Sequence, residues 1–287
     1  MIDLDGIIRH RQLVKLTKQQ VAVVDKLYSK NVIDNTIVES IKYLSEGLNI
    51  NGYIARPKKE GQYPVLIWNR GGSGDKGALD DLNAYLILAS TAVWGYVVLG
   101  TQYRGNMGSE GNEEWGAGDL TDSLNLIKVA ENIPECDLDR IAIEGPSRGG
   151  MVTYRALKEY RRFKCAIVHA GITDVFRLTE TRPGFKEFVN RQFGDMNERQ
   201  RTEAIINISA VYFADRLPRD VPVLIMHGDK DNVIPIEQSQ SLIAELKKHN
   251  ISHKFAVIEN GTHVALKDGT YKEIDRLRKE WLEKYLK

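Results

Sequence analysis

The sequence predicts an α/β fold with a mostly parallel, doubly wound central sheet, an antiparallel N-terminal hairpin and a helical cap insertion. From residue 37 onward, short and nearly all-apolar runs alternate with helical stretches, and one long charged segment interrupts that alternation. Buried apolar strands separated by helices are typical of a parallel sheet covered on both faces. The carboxyl ends of such strands meet at one edge of the sheet, where ligands bind.

The composition indicates a soluble globular chain with no charge bias. The 287 residues are 42% hydrophobic and 28% charged, and 40 Lys and Arg against 39 Asp and Glu leave a net charge of +1. This balance favours neither a nucleic acid nor a membrane surface as a partner. Cys136 and Cys165 lie outside any metal or redox spacing, so we expect a reducing, cytoplasmic location without disulfides. Residues 1–18 lack the apolar core of a signal peptide.

The N-terminal part of the chain divides into two predicted pieces. Residues 1–36 are polar with a few periodic apolar positions, and they predict an N-terminal helical extension. Residues 37–57 alternate in polarity on both sides of Glu46-Gly47, which predicts an antiparallel hairpin. The hairpin opens the main domain, residues 37–287.

The remaining elements follow from the change of period along the chain. The predicted strands are Val65–Trp68, Tyr96–Leu99, Arg140–Ile143, Cys165–His169, Val223–Met226 and Phe255–Ile258. The predicted helices are residues 79–93, 118–131, 148–161, 236–248 and 270–286. The charged insertion, residues 172–216, is expected to be helical and to cap the ligand-binding edge, although a solvated excursion without a role is the alternative.

A candidate nucleophile stands between a predicted strand and a predicted helix. Gly145-Pro146-Ser147-Arg148-Gly149 matches the G-x-S-x-G elbow in the strand–turn–helix context that this motif requires. The tight turn raises the Ser147 hydroxyl above the sheet and places the Arg148 N–H at a helix N-terminus, facing a developing oxyanion. A glycine-rich turn with a purely structural role is the alternative.

Two further residues at strand ends complete a catalytic triad. Asp231 follows the strand at 223–226, and His263 follows the strand at 255–258. The order Ser147, Asp231, His263 is the one expected for this elbow, with the acid orienting the base. Asp229 is the rival carboxylate, and His227 is expected to hold the loop rather than to act as the base.

The second oxyanion donor is expected after the first central strand. Two adjacent glycines follow Arg70 there, and we expect the N–H of Gly72, with Gly71 as second choice, to approach the oxyanion. The Arg70 side chain is a candidate substrate-binding group, although arginines beside such loops are commonly solvated or ion-paired. No phosphate loop, dinucleotide fingerprint or metal-ligand spacing is present, so neither a cofactor nor a metal is expected.

Several segments together resemble a known family. Tyr103-Arg104-Gly105 precedes Trp115-Gly116 and two acidic residues, Asp119 and Asp122, which are expected to act as anchors. With the segments 209–215 and 222–241, this pattern resembles the catalytic domain of the prolyl oligopeptidase family, in the α/β-hydrolase superfamily, over residues 37–287. The resemblance implies an α/β-hydrolase fold, a triad of Ser147, Asp231 and His263, and serine peptidase or related esterase activity.

The expected function is therefore acyl transfer to water from a peptide or a small carboxylic ester. A carboxylesterase without peptidase activity is the first alternative, and a non-catalytic binding protein is the second. Only 36 residues precede the hairpin in this sequence, too few for the β-propeller of large family members. Paired glutamates that would hold a substrate amino terminus are not evident, so dipeptidyl-peptidase activity is not expected. The sequence is compatible with a homo-oligomer but leaves the oligomeric state open.

Overall fold

The computed structural model describes residues 7–287, apart from the side chains at positions 266 and 267. The chain divides into two compact units. Of the described residues, the first unit contains 7–113, 117–143 and 286–287, and the second contains 114–116 and 144–285.

The strands of the first unit are hydrogen-bonded in the order β1-β2-β3-β5-β4-β6. Antiparallel pairing joins β1 to β2, β2 to β3 and β3 to β5, whereas β4 and β5 are parallel, with Val65 opposite Val97. Apolar side chains bury both faces of the parallel strands. The strand bounds are β1 Ile8–Leu13, β2 Thr36–Ser45, β3 Leu48–Pro57, β4 Tyr63–Asn69, β5 Val97–Thr101 and β6 Cys136–Pro146.

The predicted hairpin is confirmed by the register of β2 and β3. Ser45 lies opposite Leu48, and the two residues between them, Glu46 and Gly47, have φ values of 50° and 84°. Two consecutive residues with positive φ form the turn whose twist matches that of the flanking strands. A glycine at the second position accepts this conformation without a steric penalty.

The expectation of a wholly helical N-terminal extension is wrong for residues 8–13. These residues form β1, whose Arg11 Nη2 lies 2.6 Å from Glu39 Oε2 on β2. Helices α1, Lys18–Tyr28, and α2, Asn31–Asn35, follow as expected. Strand formation here depends on pairing with β2, a partner that local periodicity does not reveal. The part of the prediction that concerns residues 1–6 lies outside the described residues.

The second unit carries the parallel strands β7, Phe163–His169, β8, Val223–Gly228, and β9, His253–Ile258. Ala166 lies opposite Val223, and Val223 lies opposite His253, so the carboxyl ends of these strands share one edge. Together with the parallel β4–β5 pair, this confirms the α/β class and the mostly parallel sheet predicted from the sequence.

The helices also match the predictions, although one of them is irregular. The segment 81–92 consists of α3, Asp81–Asn83, a π-helical stretch, Ala84–Ala89, and α4, Ser90–Ala92. None of the described helices combines the length and the apolar character needed to cross a bilayer. The other helices outside the insertion are α5 Gly118–Ala130, α6 Arg148–Glu159, α10 Glu237–Lys248, α11 Ala265–Asp268 and α12 Tyr271–Leu286.

The insertion at 172–216 is helical, as predicted. It contains α7, Val175–Thr181, α8, Pro183–Phe193, and α9, Glu198–Ile208, followed by two short 3₁₀ turns. Its first residues are tied to α10, because the Thr173 N–H donates to Gln238 Oε1 at 2.9 Å and the Thr173 hydroxyl donates to Gln238 O at 2.6 Å. These hydrogen bonds therefore hold the start of the insertion against α10, within the second unit.

Candidate active site

Ser147 stands on a strained turn between the end of β6 and the start of α6. Its backbone angles are φ 55° and ψ −122°, outside the conformations that non-glycine residues favour. The Ser147 N–H donates to His169 O at 2.9 Å, and the Ser147 carbonyl accepts from the Ile172 N–H at 3.3 Å. Strain of this kind persists only where the surroundings hold it, which is typical of functional sites.

Glycines around Ser147 allow the turn to close. A Cβ on Gly145 would lie 2.3 Å from the carbonyl carbon of Gly149, and a Cβ on Gly150 would lie 2.6 Å from Val168 Cγ1. Because both distances are below any tolerable contact, the elbow requires glycine at these positions. Sequence reasoning identified the role of Gly145, and the packing of Gly150 against β7 is visible only in the structure.

Asp231 and His263 form a hydrogen-bonded pair. Asp231 Oδ2 accepts from His263 Nδ1 at 2.7 Å, while Oδ1 accepts from the N–H groups of Val233 and Ile234 at 2.8 and 2.9 Å. The Asp231 side chain is fully buried, and that of His263 is 17% exposed. With its proton on Nδ1, neutral His263 presents an unprotonated Nε2, as a general base requires.

The surroundings keep Asp231 ionised. Burial alone would raise the pKa of this carboxyl, but the hydrogen bond from His263 and the two loop amides outweigh burial and hold the pKa below its usual range. An ionised carboxylate beside an imidazole stabilises the protonated form of that ring.

Two glycines that sequence reasoning missed bring the Asp231 loop against the His263 loop. A Cβ on Gly228 would lie 2.1 Å from Gly261 O, so the two backbones are in direct contact. The Lys230 N–H also donates to Gly261 O at 2.9 Å. The available signal was a glycine close behind each of the two strands that carry the acid and the base.

His227 and Asp229 take structural positions. His227 Nε2 lies 2.9 Å from Ile234 O and Nδ1 lies 2.7 Å from Ser239 Oγ. Because a carbonyl only accepts, Nε2 carries the proton and the serine hydroxyl donates to Nδ1. His227 therefore holds the loop that follows Asp231, as expected from the sequence. The Asp229 side chain is exposed, and the carboxylate bonded to His263 is that of Asp231.

His169, which sequence reasoning did not assign to the site, links the nucleophile to the base. Its carbonyl accepts from the Ser147 N–H, and its ring interacts electrostatically with the imidazoles of His263 and His227. Burial, followed by these two neighbouring rings, lowers the pKa of His169 to about 4.

Within residues 7–287 the Ser147 hydroxyl makes no hydrogen bond to His263, and such catalytic contacts commonly tighten when substrate binds.

The two oxyanion candidates lie on different units. Arg148 begins α6, so its N–H lies at the positive end of the helix dipole, next to Ser147. In the first unit, Gly72 has φ +73°, and a Cβ there would lie 1.9 Å from Lys76 O. Position 72 therefore requires glycine, because the backbone of Lys76 in the same loop lies too close for a side chain.

The structure disagrees with the expectation that the Arg70 side chain contacts substrate. Arg70 is fully buried, and its Nη2 donates to the carbonyls of Gly74 and Lys76, each at 2.6 Å. Its Nε also donates to Gly71 O at 3.1 Å. The guanidinium braces the loop that presents Gly71 and Gly72, because turning carbonyls inward leaves them in need of donors.

Aromatic side chains of the insertion pack beside the nucleophile elbow. The Arg148 Cζ lies 4.8 Å from the ring centroid of Trp115, and that ring lies 4.5 Å from the ring of Phe188 on α8. Phe185 contacts both rings. The insertion therefore contacts Trp115, and Trp115 in turn contacts the residue that follows Ser147.

Comparisons with known proteins identify the family of this chain. The profile described as "Prolyl oligopeptidase family" matches residues 83–287. The chain is 29% identical over 233 residues to "Uncharacterized peptidase YtmA" of Bacillus subtilis, covering 79% of this chain and 86% of that protein. It is 28% identical to "Uncharacterized peptidase YuxL" of the same organism, covering 94% of this chain but 42% of the relative.

Solved structures show the same fold. The Pyrococcus horikoshii acylaminoacyl peptidase superposes with a TM-score of 0.76 at 23% identity, covering 95% of this chain and 44% of that one. The chain thus spans less than half of YuxL and of this structural neighbour, and most of YtmA. The profile covers well over half of the chain, and this match shows the family. The chain belongs to the prolyl oligopeptidase family.

Proposed function

We propose that this protein is a serine peptidase that works through an acyl-enzyme, with Ser147 as nucleophile, His263 as base and Asp231 as the orienting acid. The observation that carries the proposal is the 2.7 Å hydrogen bond between His263 Nδ1 and Asp231, in the same unit as the strained Ser147 elbow. A base that a carboxylate orients is the group that activates a serine hydroxyl within its reach.

The proposed reaction has two steps. Ser147 Oγ attacks the substrate carbonyl while His263 Nε2 takes the hydroxyl proton, and the N–H of Arg148 stabilises the oxyanion. His263 then gives that proton to the departing amine or alcohol. A water molecule attacks the acyl-enzyme, and its proton passes through His263 back to Ser147 as the acid is released.

A peptide is the favoured substrate because the chain belongs to a peptidase family and its relatives are named as peptidases. Small carboxylic esters are the second candidate, since an alcohol leaves with less protonation than an amine requires. The aromatic cluster beside Arg148 supports either substrate, because partly buried rings bind an apolar acyl or side-chain group.

Replacement of the nucleophile tests the mechanism. Ser147→Ala is expected to abolish fluorophosphonate labelling and to lower turnover of p-nitrophenyl acetate by about 10⁶-fold, because the attacking oxygen is lost. Ser241→Ala is the control, since Ser241 lies on α10 and its Oγ accepts from Arg177, outside the site. Labelling of the Ser147→Ala protein at the rate of the native chain would rule out this mechanism. Failure of the native chain to label would favour a binding protein.

A paired substrate screen decides between peptidase and esterase. The native chain and Ser147→Ala are assayed with acyl-aminoacyl p-nitroanilides and with p-nitrophenyl esters of several chain lengths. Turnover of the anilides that is lost in Ser147→Ala supports the peptidase proposal. Turnover of the esters alone would replace it with a carboxylesterase.

A further inference from the structure

The loop that carries His263 is held by a carboxylate outside the triad. Asp268, at the end of α11, accepts at Oδ2 from both the N–H and the hydroxyl of Thr262, each at 2.6 Å. At Oδ1 it accepts from the N–H of Thr270 at 2.9 Å and from the Thr270 hydroxyl at 2.6 Å. We call these three residues, Thr262, Asp268 and Thr270, the threonine clamp.

The carboxylate of the clamp is ionised. Burial would raise the pKa of Asp268, but hydrogen bonds from the two threonines lower it to about 2. Hydrogen bonds to an ionised acceptor are shorter and stronger than those between neutral groups. Gly269, which follows, has φ +83°, and this left-handed turn carries the chain on to Thr270.

The clamp acts on the residue directly before the base. Thr262 precedes His263, so anchoring its N–H and hydroxyl restrains the backbone on which the imidazole is mounted. On the other side of Thr262, Gly261 is held by the Lys230 N–H at 2.9 Å. Hydrogen bonds therefore hold two successive residues before His263. Gly261 is bonded to Lys230 in the Asp231 loop, and Thr262 is bonded to Asp268.

We propose that Asp268 is a positioning residue for His263, acting through Thr262 to hold the imidazole in register with Asp231. The expected effect on catalysis rests on the proposed function, whereas the position of the imidazole can be measured without turnover. A local role is the competing explanation, because the Asp268–Thr270 contacts lie just before α12 and resemble an N-terminal cap.

The two halves of the clamp separate these explanations. Thr262→Val removes a hydroxyl on the His263 side, whereas Thr270→Val removes the equivalent hydroxyl on the α12 side. Both hydroxyls lie 2.6 Å from Asp268, so the variants lose comparable hydrogen bonds. Thr262→Ser keeps the hydroxyl and is expected to restore the native behaviour.

Kinetics supply the first test. Asp268→Asn is expected to lower kcat for a p-nitrophenyl ester by about 10- to 100-fold with little change in KM, because small misplacements of a catalytic group have effects of this size. Thr262→Val is expected to lower kcat in the same direction, while Thr270→Val and Thr262→Ser stay within about twofold of the native value. Equal losses in Thr262→Val and Thr270→Val would overturn the proposal, as would a native kcat in Asp268→Asn.

Proton NMR supplies a second test that does not require turnover. The proton on His263 Nδ1, bonded to Asp231, is expected to give a deshielded resonance that is absent in His263→Gln. It should broaden or disappear in Asp268→Asn and Thr262→Val and persist in Thr270→Val. If the native chain neither labels nor turns over substrate, the proposed function fails, and this resonance still decides the positioning role. An unchanged resonance in Asp268→Asn would refute that role.

Discussion

At the scale of single residues, the site depends on hydrogen bonds that hold the acid and its loop in place. Asp231 uses one carboxylate oxygen for loop amides and the other for His263. His227 uses both ring nitrogens to hold the loop after Asp231. Because the acid and its loop are held before substrate arrives, little reorganisation is needed during the reaction.

His169 predicts a pH dependence of stability. The unfolded chain takes up a proton on this side chain near its ordinary pKa of 6.5, whereas the folded chain does so near 4. The free energy of unfolding therefore decreases as the pH falls from about 6.5 to about 4, by at most about 3 kcal/mol. His169→Asn is expected to reduce the loss of urea-measured stability between pH 7 and pH 4.5. The lowered pKa of buried His227 has the same sign, so some dependence remains. Equal losses in both proteins would contradict the assignment.

At the scale of elements, the loops at the strand ends carry the candidate catalytic residues. Close contacts between backbones fix the conformation of these loops. The loop after β4 turns its carbonyls inward onto Arg70, and the elbow after β6 closes over Gly145. The end of β8 at Gly228 meets the loop after β9 at Gly261. Small residues are required at these points because the backbones approach within contact distance.

Two glycines of the β4 loop form a matched pair for testing its role. Both have positive φ, but a Cβ on Gly72 meets Lys76 O at 1.9 Å, whereas a Cβ on Gly74 meets nothing within 4 Å. Gly72→Ala is expected to lower the free energy of unfolding by more than about 3 kcal/mol, because the backbone of the loop must move in addition to carrying the strain. Gly74→Ala carries only the backbone strain, about 1–3 kcal/mol of stability. Equal losses in the two variants, measured by urea denaturation, would contradict the role assigned to the Gly72–Lys76 approach.

At the scale of the whole molecule, a buried ion pair ties the C-terminal helix to the strand that leads into the elbow. Arg278 on α12 donates through Nε and Nη2 to the two carboxylate oxygens of Glu144 at 2.6 and 2.9 Å. Both side chains are 8% exposed. Removal of one partner from such a pair leaves an uncompensated buried charge.

The pair predicts a large stability effect. Arg278→Met is expected to lower the free energy of unfolding by about 3–5 kcal/mol, measured by urea denaturation. Arg276→Met on the same helix is the control, because the Arg276–Glu280 pair is more than half exposed and such pairs contribute at most about 0.5 kcal/mol. A similar loss in both variants would show that the Glu144 pair has no special role.

Much of the fold was predictable because its signals are local. Runs such as Val65–Trp68 and Val223–Met226 are apolar throughout, and the structure extends them by only a few residues. Strand β1 was missed because its conformation depends on β2, a segment some 30 residues further along the chain. A strand that pairs at an edge with exposed side chains has no apolar pattern to reveal it.

The candidate triad was predictable because a strand end is a local feature, and each of Ser147, Asp231 and His263 follows a recognisable strand. The contacts that support the triad were not predictable, because they join atoms whose distances depend on the folded backbone. These contacts are the bracing by Arg70, the contact of Gly228 with Gly261, the approach of His169 to His263 and the hydrogen bonds of Asp268 to Thr262. A sequence indicates which groups are available for such contacts, whereas packing in three dimensions selects the partner that each group meets.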